Sequence, residues 1–126
     1  MSETLVIAIV DDDEAVRVAT GSLVRSLGYT AHTYASAGDF LRACAEQEPA
    51  CLITDVQMPG MSGVELQQSL IAAGRRLPVI FVTGFPTESL RERVLAAGAS
   101  GFLQKPCDGE VIIRCLQDAL ASRAPA

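Results

Sequence analysis

Residues 50–60 read Ala50-Cys51-Leu52-Ile53-Thr54-Asp55-Val56-Gln57-Met58-Pro59-Gly60. The first half is a short apolar, partly β-branched run, which is the pattern of a buried strand. It closes on a carboxylate, Asp55, and passes at once into a turn built on Pro59 and Gly60. Asp55 therefore stands where a strand stops. In open parallel α/β sheets, ligands bind just beyond the carboxyl ends of the strands, so an acid there is a candidate reactive group. Taken alone, it could equally be a turn-forming aspartate.

The neighbouring segments repeat the motif. Leu5 to Val10 is an apolar run ending in Asp11-Asp12, and from Glu14 a helical stripe follows (Val16, Ala19, Leu23, Val24, Leu27) up to Gly28. Thr30 to Ala35 reads as a short strand. Ser36 caps a helix predicted to reach Glu46, with Phe40, Leu41 and Cys44 inward, before Pro49 breaks it. After Asp55, Ser62-Gly63-Val64-Glu65 has the spacing of a capping box, which predicts a third helix with Leu66, Leu70, Ile71 and Ala73 on its apolar side. Pro78 to Thr83 is a fourth strand, followed by the Gly84-Phe85-Pro86 loop. Thr87 caps a helix carrying Leu90, Val94 and Ala97. Gly101 to Gln104 is a fifth strand, Lys105-Pro106 a turn, and Asp108 the cap of a last helix with Ile112, Cys115, Leu116, Ala119 and Leu120 inward. Five β-α units with helices of about 11 to 14 residues predict a parallel sheet with helices on both faces.

Composition agrees. The 126 residues suit one domain, with a core over about residues 5–120 and residues 121–126 as a tail or the start of a linker. The apolar share of 49% and mean hydropathy of +0.29 fit a sheet covered on both sides. No run approaches the roughly 18 apolar residues of a membrane span, and the acidic Met1-Ser2-Glu3 opening is unlike a secretory leader, so a cytoplasmic chain without a membrane partner is expected. A net charge of −5 argues against direct nucleic-acid binding. Four cysteines, Cys44, Cys51, Cys107 and Cys115, form no C-x-x-C pair and read as small apolar residues; Cys107, beside the Lys105-Pro106 turn, is the one candidate for an oxidisable thiol. Of ten basic residues only Lys105 is a lysine, as suits a place that needs a compact ammonium. His32, the only histidine, falls on the weak second strand and reads as a surface residue.

In a parallel sheet all strand ends of one polarity emerge on one edge. Asp11 and Asp12, Asp55, Thr83 with the Gly84 amide, and Lys105 therefore converge on one cleft. Carboxylates about 4 Å apart repel by about 4 kcal/mol per pair at an effective dielectric near 20, so cations must join them. Oxygen-only ligands in an open turn suit Mg²⁺, which keeps several waters and takes a phosphoryl oxygen as a further ligand. Acids, a metal, an ammonium and a hydroxyl form a set suited to a phosphoryl group, which a carboxylate can attack to give an acyl phosphate.

At this point the chain resembles the response-regulator receiver domains of two-component signalling. The resemblance spans about Leu5 to Leu120. It rests on Ile9-Val10-Asp11-Asp12-Asp13-Glu14, Asp55-Val56-Gln57-Met58-Pro59-Gly60-Met61-Ser62-Gly63, Val82-Thr83-Gly84 and Gly101-Phe102-Leu103-Gln104-Lys105-Pro106. It implies a flavodoxin-like (βα)5 fold, strand order 2-1-3-4-5; this order comes from the family. It implies Asp55 as phosphoacceptor, and Asp12, Asp55 and the Gln57 backbone carbonyl as Mg²⁺ ligands, with Asp11 acting through water and Mn²⁺ able to substitute. Thr83 would be the switch hydroxyl, Lys105 the partner of a phosphoryl oxygen, and Phe102 the aromatic that follows Thr83 inward, against its plainer reading as a core strand residue. The Lys105–Pro106 bond would be cis. Asp13 matches no such role and reads as a helix-start acid.

Further implications are a histidine kinase or phosphotransfer protein as donor, and a surface of the fourth helix, fifth strand and last helix that controls an output domain or partner. The chain would be a switch and not an enzyme in the usual sense. Gln57 and Phe85 fall at positions that modulate phosphoryl lifetime in the family, and the apolar Phe85 would shield the acyl phosphate. Gly101 replaces an acid that many winged-helix regulators use in dimer salt bridges, which argues against their dimer while leaving a phosphorylation-dependent homodimer open. The wording of Gly63-Val64-Glu65-Leu66 and Phe81-Val82-Thr83-Gly84 is closer to receivers that regulate transcription through helix-turn-helix outputs of the nitrogen-fixation and quorum-sensing type. Two rivals remain. Asp11-Asp12-Asp13 reads as D-x-D after a strand, as in haloacid-dehalogenase-type phosphatases, with Asp11 as nucleophile and Asp13 as acid. The other rival is an interaction module that keeps the fold without phosphorylation.

Overall fold

The computed structural model describes residues 5–43 and 48–122. Five strands alternate with five helices: β1 (Val6–Val10), α1 (Glu14–Ser26), β2 (Thr30–Tyr34), α2 (Ala37–Ala43), β3 (Cys51–Asp55), α3 (Gly63–Ala72), β4 (Val79–Thr83), α4 (Glu88–Ala96), β5 (Gly101–Gln104) and α5 (Gly109–Ser122). The strands form one parallel sheet in the order β2-β1-β3-β4-β5. The fold class and the strand order are those expected.

Alternation along the strands divides the core in two. Ala8, Val10, Leu52 and Phe81 face α2, α3 and α4, where they meet Phe40, Leu66, Leu70 and Val94. Ile7, Ile9, Ile53, Ile80 and Val82 face α1 and α5, where they meet Val24, Ile112, Leu116 and Ala119. β3 and β4 are buried along their whole length, which explains their unbroken apolar runs.

The caps follow the sequence signals. Asp13 N-caps α1 by accepting from the amides of Ala15 and Val16. Ser62 and Glu65 make both bonds of the capping box, at 3.1 and 3.0 Å. Thr87 accepts from the Leu90 amide, Ser36 from the Asp39 amide and Asp108 from the Glu110 amide.

Four local expectations need correction. The helices are shorter than expected in two cases, with 10 and 9 residues in α3 and α4. The inward face of α3 is rotated: Ile71 and Ala73 are exposed, and the polar Gln67 is buried in their stead. Ala19 of α1 is exposed, while Gly21, absent from the expected stripe, is buried. Pro78 precedes β4, where its carbonyl accepts from the Leu52 amide. The inward placement of Cys44 and the helix end at Glu46 lie outside the described residues.

Candidate functional site

Asp11, Asp55 and Lys105 come from the ends of β1, β3 and β5 and meet at the carboxyl edge, on the α1/α5 side of the sheet. The Lys105 ammonium donates to Asp11 Oδ2 at 2.8 Å and lies 3.4 Å from Asp55 Oδ2. Asp12 joins them: one carboxylate oxygen each of Asp11, Asp12 and Asp55 lies within 4.8 Å of the others. Asp11 and Asp55 are buried, whereas Asp12 is exposed.

Each position has a local cause. The Asp11 amide donates to the Tyr34 carbonyl, continuing the β1–β2 ladder one residue past the strand. Asp11 Oδ1 accepts from the Asp13 amide at 2.9 Å, and the Arg17 guanidinium donates to the Asp11 backbone carbonyl at 2.7 Å. Asp55 Oδ1 accepts from the Val56 amide at 2.8 Å. The Lys105 amide donates to the Thr83 carbonyl at 2.8 Å, tying the end of β5 to the end of β4. The Lys105–Pro106 bond is cis, as expected.

Electrostatics follow from this crowding. Burial and the charge of Asp11 raise the Asp55 carboxyl above the ordinary carboxylate range, although Lys105 and the Val56 amide act the other way. Burial works against the Lys105 ammonium, but its bond to Asp11 and the charges of Asp11 and Asp55 outweigh it and hold its pKa above the usual lysine value. The donor set is all oxygen, and one of its three carboxylates is open to solvent. That chemistry fits a hard divalent ion such as Mg²⁺.

Thr83 and Phe102 lie on the opposite face of the sheet. Thr83 follows Phe81 by two residues, and Phe102 pairs with Phe81 across β4 and β5 and packs on the α2/α3/α4 core. Thr83 is fully buried, and its hydroxyl accepts from the Phe85 amide at 3.1 Å. Phe85 itself is 69% exposed, and Gln57 and Gly84 are exposed. His32 is exposed on β2, as read from sequence.

Cys107 is half-buried on the wall of a cavity of about 570 Å³ that opens between α1 and α5 and reaches Asp11, Asp55 and Lys105. Burial and Asp108 raise its thiol pKa, so the thiolate needed for ready oxidation is disfavoured. Cys51 is pushed up to about 12, chiefly by burial.

Two contributors to the site, and one buried polar residue away from it, were not singled out from sequence. Arg17 is one, and its signal was an arginine on the first turn of a helix that begins at an acidic loop. Gly63 is another: a Cβ there would lie 2.2 Å from the Asp55 carbonyl oxygen, so only glycine lets α3 start this close to β3. The third is Gln67, whose Nε2 donates to the Val94 carbonyl at 3.1 Å and whose Oε1 is a buried atom without a partner among the described residues.

Comparison with known proteins agrees with this geometry. Residues 7–117 match the family described as the response regulator receiver domain. The transcriptional regulatory protein FixJ of Azorhizobium caulinodans is 38% identical over 124 residues, which is 98% of this chain and 59% of that protein. The response regulator protein TmoT of Ectopseudomonas mendocina is 40% identical over 115 residues, 91% of this chain and 52% of that one. The chain thus spans between half and three-fifths of these relatives. Among solved structures, the crystal structure of FixJ-N superposes with a TM-score of 0.88 at 31% identity, covering 100% of both chains. A response regulator receiver protein from Burkholderia phymatum gives 0.82 at 40% identity, covering 98% of this chain and 100% of that one. Fold, clustered strand-end residues and relatives agree, and the chain belongs to the response regulator receiver domain family, the phosphorylation-dependent switches of two-component systems.

Proposed function

We propose that Asp55 takes a phosphoryl group from the phosphohistidine of a kinase or phosphotransfer protein, with Mg²⁺ held by Asp12, Asp55 and the Gln57 carbonyl. The observation that carries this reading is the meeting of Asp11, Asp12, Asp55 and Lys105 at one edge of the sheet. Asp55 Oδ1 is tied to the Val56 amide, which leaves Oδ2, beside Lys105, as the attacking oxygen. The new P–O bond forms as the P–N bond to the donor imidazole breaks, and the imidazole leaves with the bonding pair and takes up a proton. When bound, the divalent ion neutralises charge on the carboxylates and the phosphoryl oxygens. Both Asp11 oxygens already accept hydrogen bonds, from Asp13 and Lys105, which supports its acting on the ion through water. Lys105 is placed to pair with a phosphoryl oxygen.

Once Asp55 is modified, the Thr83 hydroxyl leaves the Phe85 amide and turns to the new group. Phe102, on the same face of the sheet, follows it inward. The phosphoryl group shifts this equilibrium only by its differential affinity; moving from 1:99 to 99:1 takes about 5.5 kcal/mol. The altered surface is α4, β5 and α5, where an output domain, a partner or a second copy would dock. The name of FixJ, a transcriptional regulatory protein, supports a switch that controls transcription through such an output. The phosphatase rival leaves Asp55 without a task, and Asp13 caps α1 instead of standing free as an acid.

Acetyl phosphate with Mg²⁺, followed by intact mass, tests the assignment. The wild-type chain gains about 80 Da, one phosphoryl group, and Asp55→Asn gains nothing. An adduct that survives Asp55→Asn, or turnover that depends on Asp11 alone, would overturn it.

A further inference from the structure

Asp12 carries the most exposed carboxylate of the acidic cluster, so its position depends mainly on the backbone that presents it. The residues on either side of it are fixed. Asp11 is held by the Tyr34 carbonyl, by the Asp13 amide and by Lys105. Asp13 is held as the N-cap of α1. One residue closes the loop from both ends: Arg17 donates through its guanidinium to the Asp11 carbonyl at 2.7 Å and through its backbone amide to the Asp13 carbonyl at 2.9 Å.

The Asp11 carbonyl belongs to the peptide that joins Asp11 to Asp12. A peptide is planar, so fixing its oxygen fixes the amide and Cα of Asp12 as well. A charge-assisted bond from a guanidinium is about twice as strong as a neutral one, and it ends here on a group beside three carboxylates.

We propose that Arg17 is a positioning residue for the divalent-ion site. Its guanidinium holds the carbonyl of the peptide that leads into Asp12, sets where the Asp12 carboxylate lies, and so sets the affinity for Mg²⁺. This rests on the receiver reading of the acidic cluster and adds to it a residue outside the ligand set. Groups that orient metal ligands from outside typically contribute about 10- to 100-fold to metal affinity.

The test is Mg²⁺ titration of the full chain by calorimetry, without phosphodonor. Arg17→Met is expected to bind Mg²⁺ about tenfold more weakly. Arg17→Lys is expected to recover part of the loss, because an ammonium is a charged donor of similar reach to the Asp11 carbonyl. Arg25→Met is the matched control: Arg25 also lies on α1 and also donates to a backbone carbonyl, that of Ala31, but away from the cleft. In phosphorylation with acetyl phosphate, Arg17→Met should need more Mg²⁺ for half-maximal rate while reaching the wild-type rate at saturation. Wild-type affinity in a folded Arg17→Met protein overturns the proposal, as does an equal loss in Arg25→Met. If Arg17→Met does not fold, Arg17→Gln carries the same comparison. A wild-type chain that takes up no Mg²⁺ overturns both this proposal and the receiver-site reading, which separates the two failures.

Discussion

The tightest constraint on Asp55 is steric, and it predicts the effect of a single methyl group. Gly63 opens α3 directly against the end of β3. A Cβ added there would stand 2.2 Å from the Asp55 carbonyl oxygen, 3.1 Å from its carbonyl carbon and 3.0 Å from the Val56 Cα. All three are backbone atoms, so no side chain can rotate away. An ordinary carbon–oxygen contact is about 3.3 Å or longer, so α3 and the end of β3 must separate by about 1 Å. The Gly63 amide now donates to the Val56 carbonyl at 2.8 Å, and that bond would stretch with them. Overpacking of this kind costs about 1–3 kcal/mol, and the weakened hydrogen bond belongs to the same cost. The better helix propensity of alanine returns less than about 1 kcal/mol. Gly63→Ala should therefore unfold about 4–10 °C earlier. It should also be phosphorylated by acetyl phosphate more slowly, by up to about 100-fold, because a misplacement near 1 Å at a reacting group can cost that much. Thermal unfolding and the initial rate of adduct formation by intact mass read the two effects. Gly84→Ala is the control, since a Cβ there meets nothing within 4 Å and the backbone amide is kept. Gly63→Ala with wild-type stability and wild-type rate would refute the reasoning.

Other outcomes follow from the same cleft. The folded pKa of Asp55 is raised, so its ionised form destabilises the native state above that pKa, and the penalty fades as the pH falls toward the unfolded carboxylate value. Asp55→Asn should melt a few degrees higher than wild type at pH 7, with the difference shrinking toward pH 4; an Asp55→Asn melting curve below wild type at pH 7 would count against it. Lys105→Met leaves Asp11 and Asp55 facing each other. With Lys105 one-fifth exposed, the loss should be about 2 kcal/mol, and added Mg²⁺ should stabilise this variant more than wild type in a thermal shift. Phe85→Ala should release phosphate from phosphorylated Asp55 faster; an unchanged half-life would remove the shielding role. A thiol reagent at pH 8 should leave Cys51 unmodified in the native chain, because its thiol is buried and its pKa stands at about 12.

Much of the fold was legible because the signals were redundant. Each strand of the Asp55 half is an apolar run closed by glycine, proline or an acid, and each cap residue makes the bond its identity suggests. The sheet order came from family resemblance, since periodicity cannot say which strands are neighbours. One of the errors has a plain cause. Ile71 and Gln67 exchange places because α3 turns its flank toward α4, where the Val94 carbonyl takes a side-chain donor; an apolar-stripe rule has no means to place an inward amide. Gly101 was read for a missing acid, yet its role in packing is plain: a Cβ there would lie 2.3 Å from Cys115 Sγ, so the thiol occupies the space a side chain would need. At the site, residues that act through side chains at strand ends were visible. Those that act on backbone, Arg17 and Gly63, were not, because their partners are carbonyls that every sequence contains.

The alternation of the sheet also divides the expected acceptor residues from the expected switch residues. Asp11, Asp55 and Lys105 stand on the α1/α5 side with Ile9, Ile53 and Val82, whereas Thr83 and Phe102 stand on the α2/α3/α4 side with Phe81. The interior of the sheet between them is closed, with β3 and β4 buried throughout. At the carboxyl edge the Lys105 amide donates to the Thr83 carbonyl and the Phe85 amide donates to its hydroxyl, which gives a bonded route from the acidic cluster to Thr83. The first bond ties the loop to the cation that faces Asp55. The second is the one a phosphoryl oxygen would have to replace. If Asp55 is the phosphoacceptor, the expected two-state part is the β4–α4 loop, with the face carrying the acids staying rigid while the opposite face repacks.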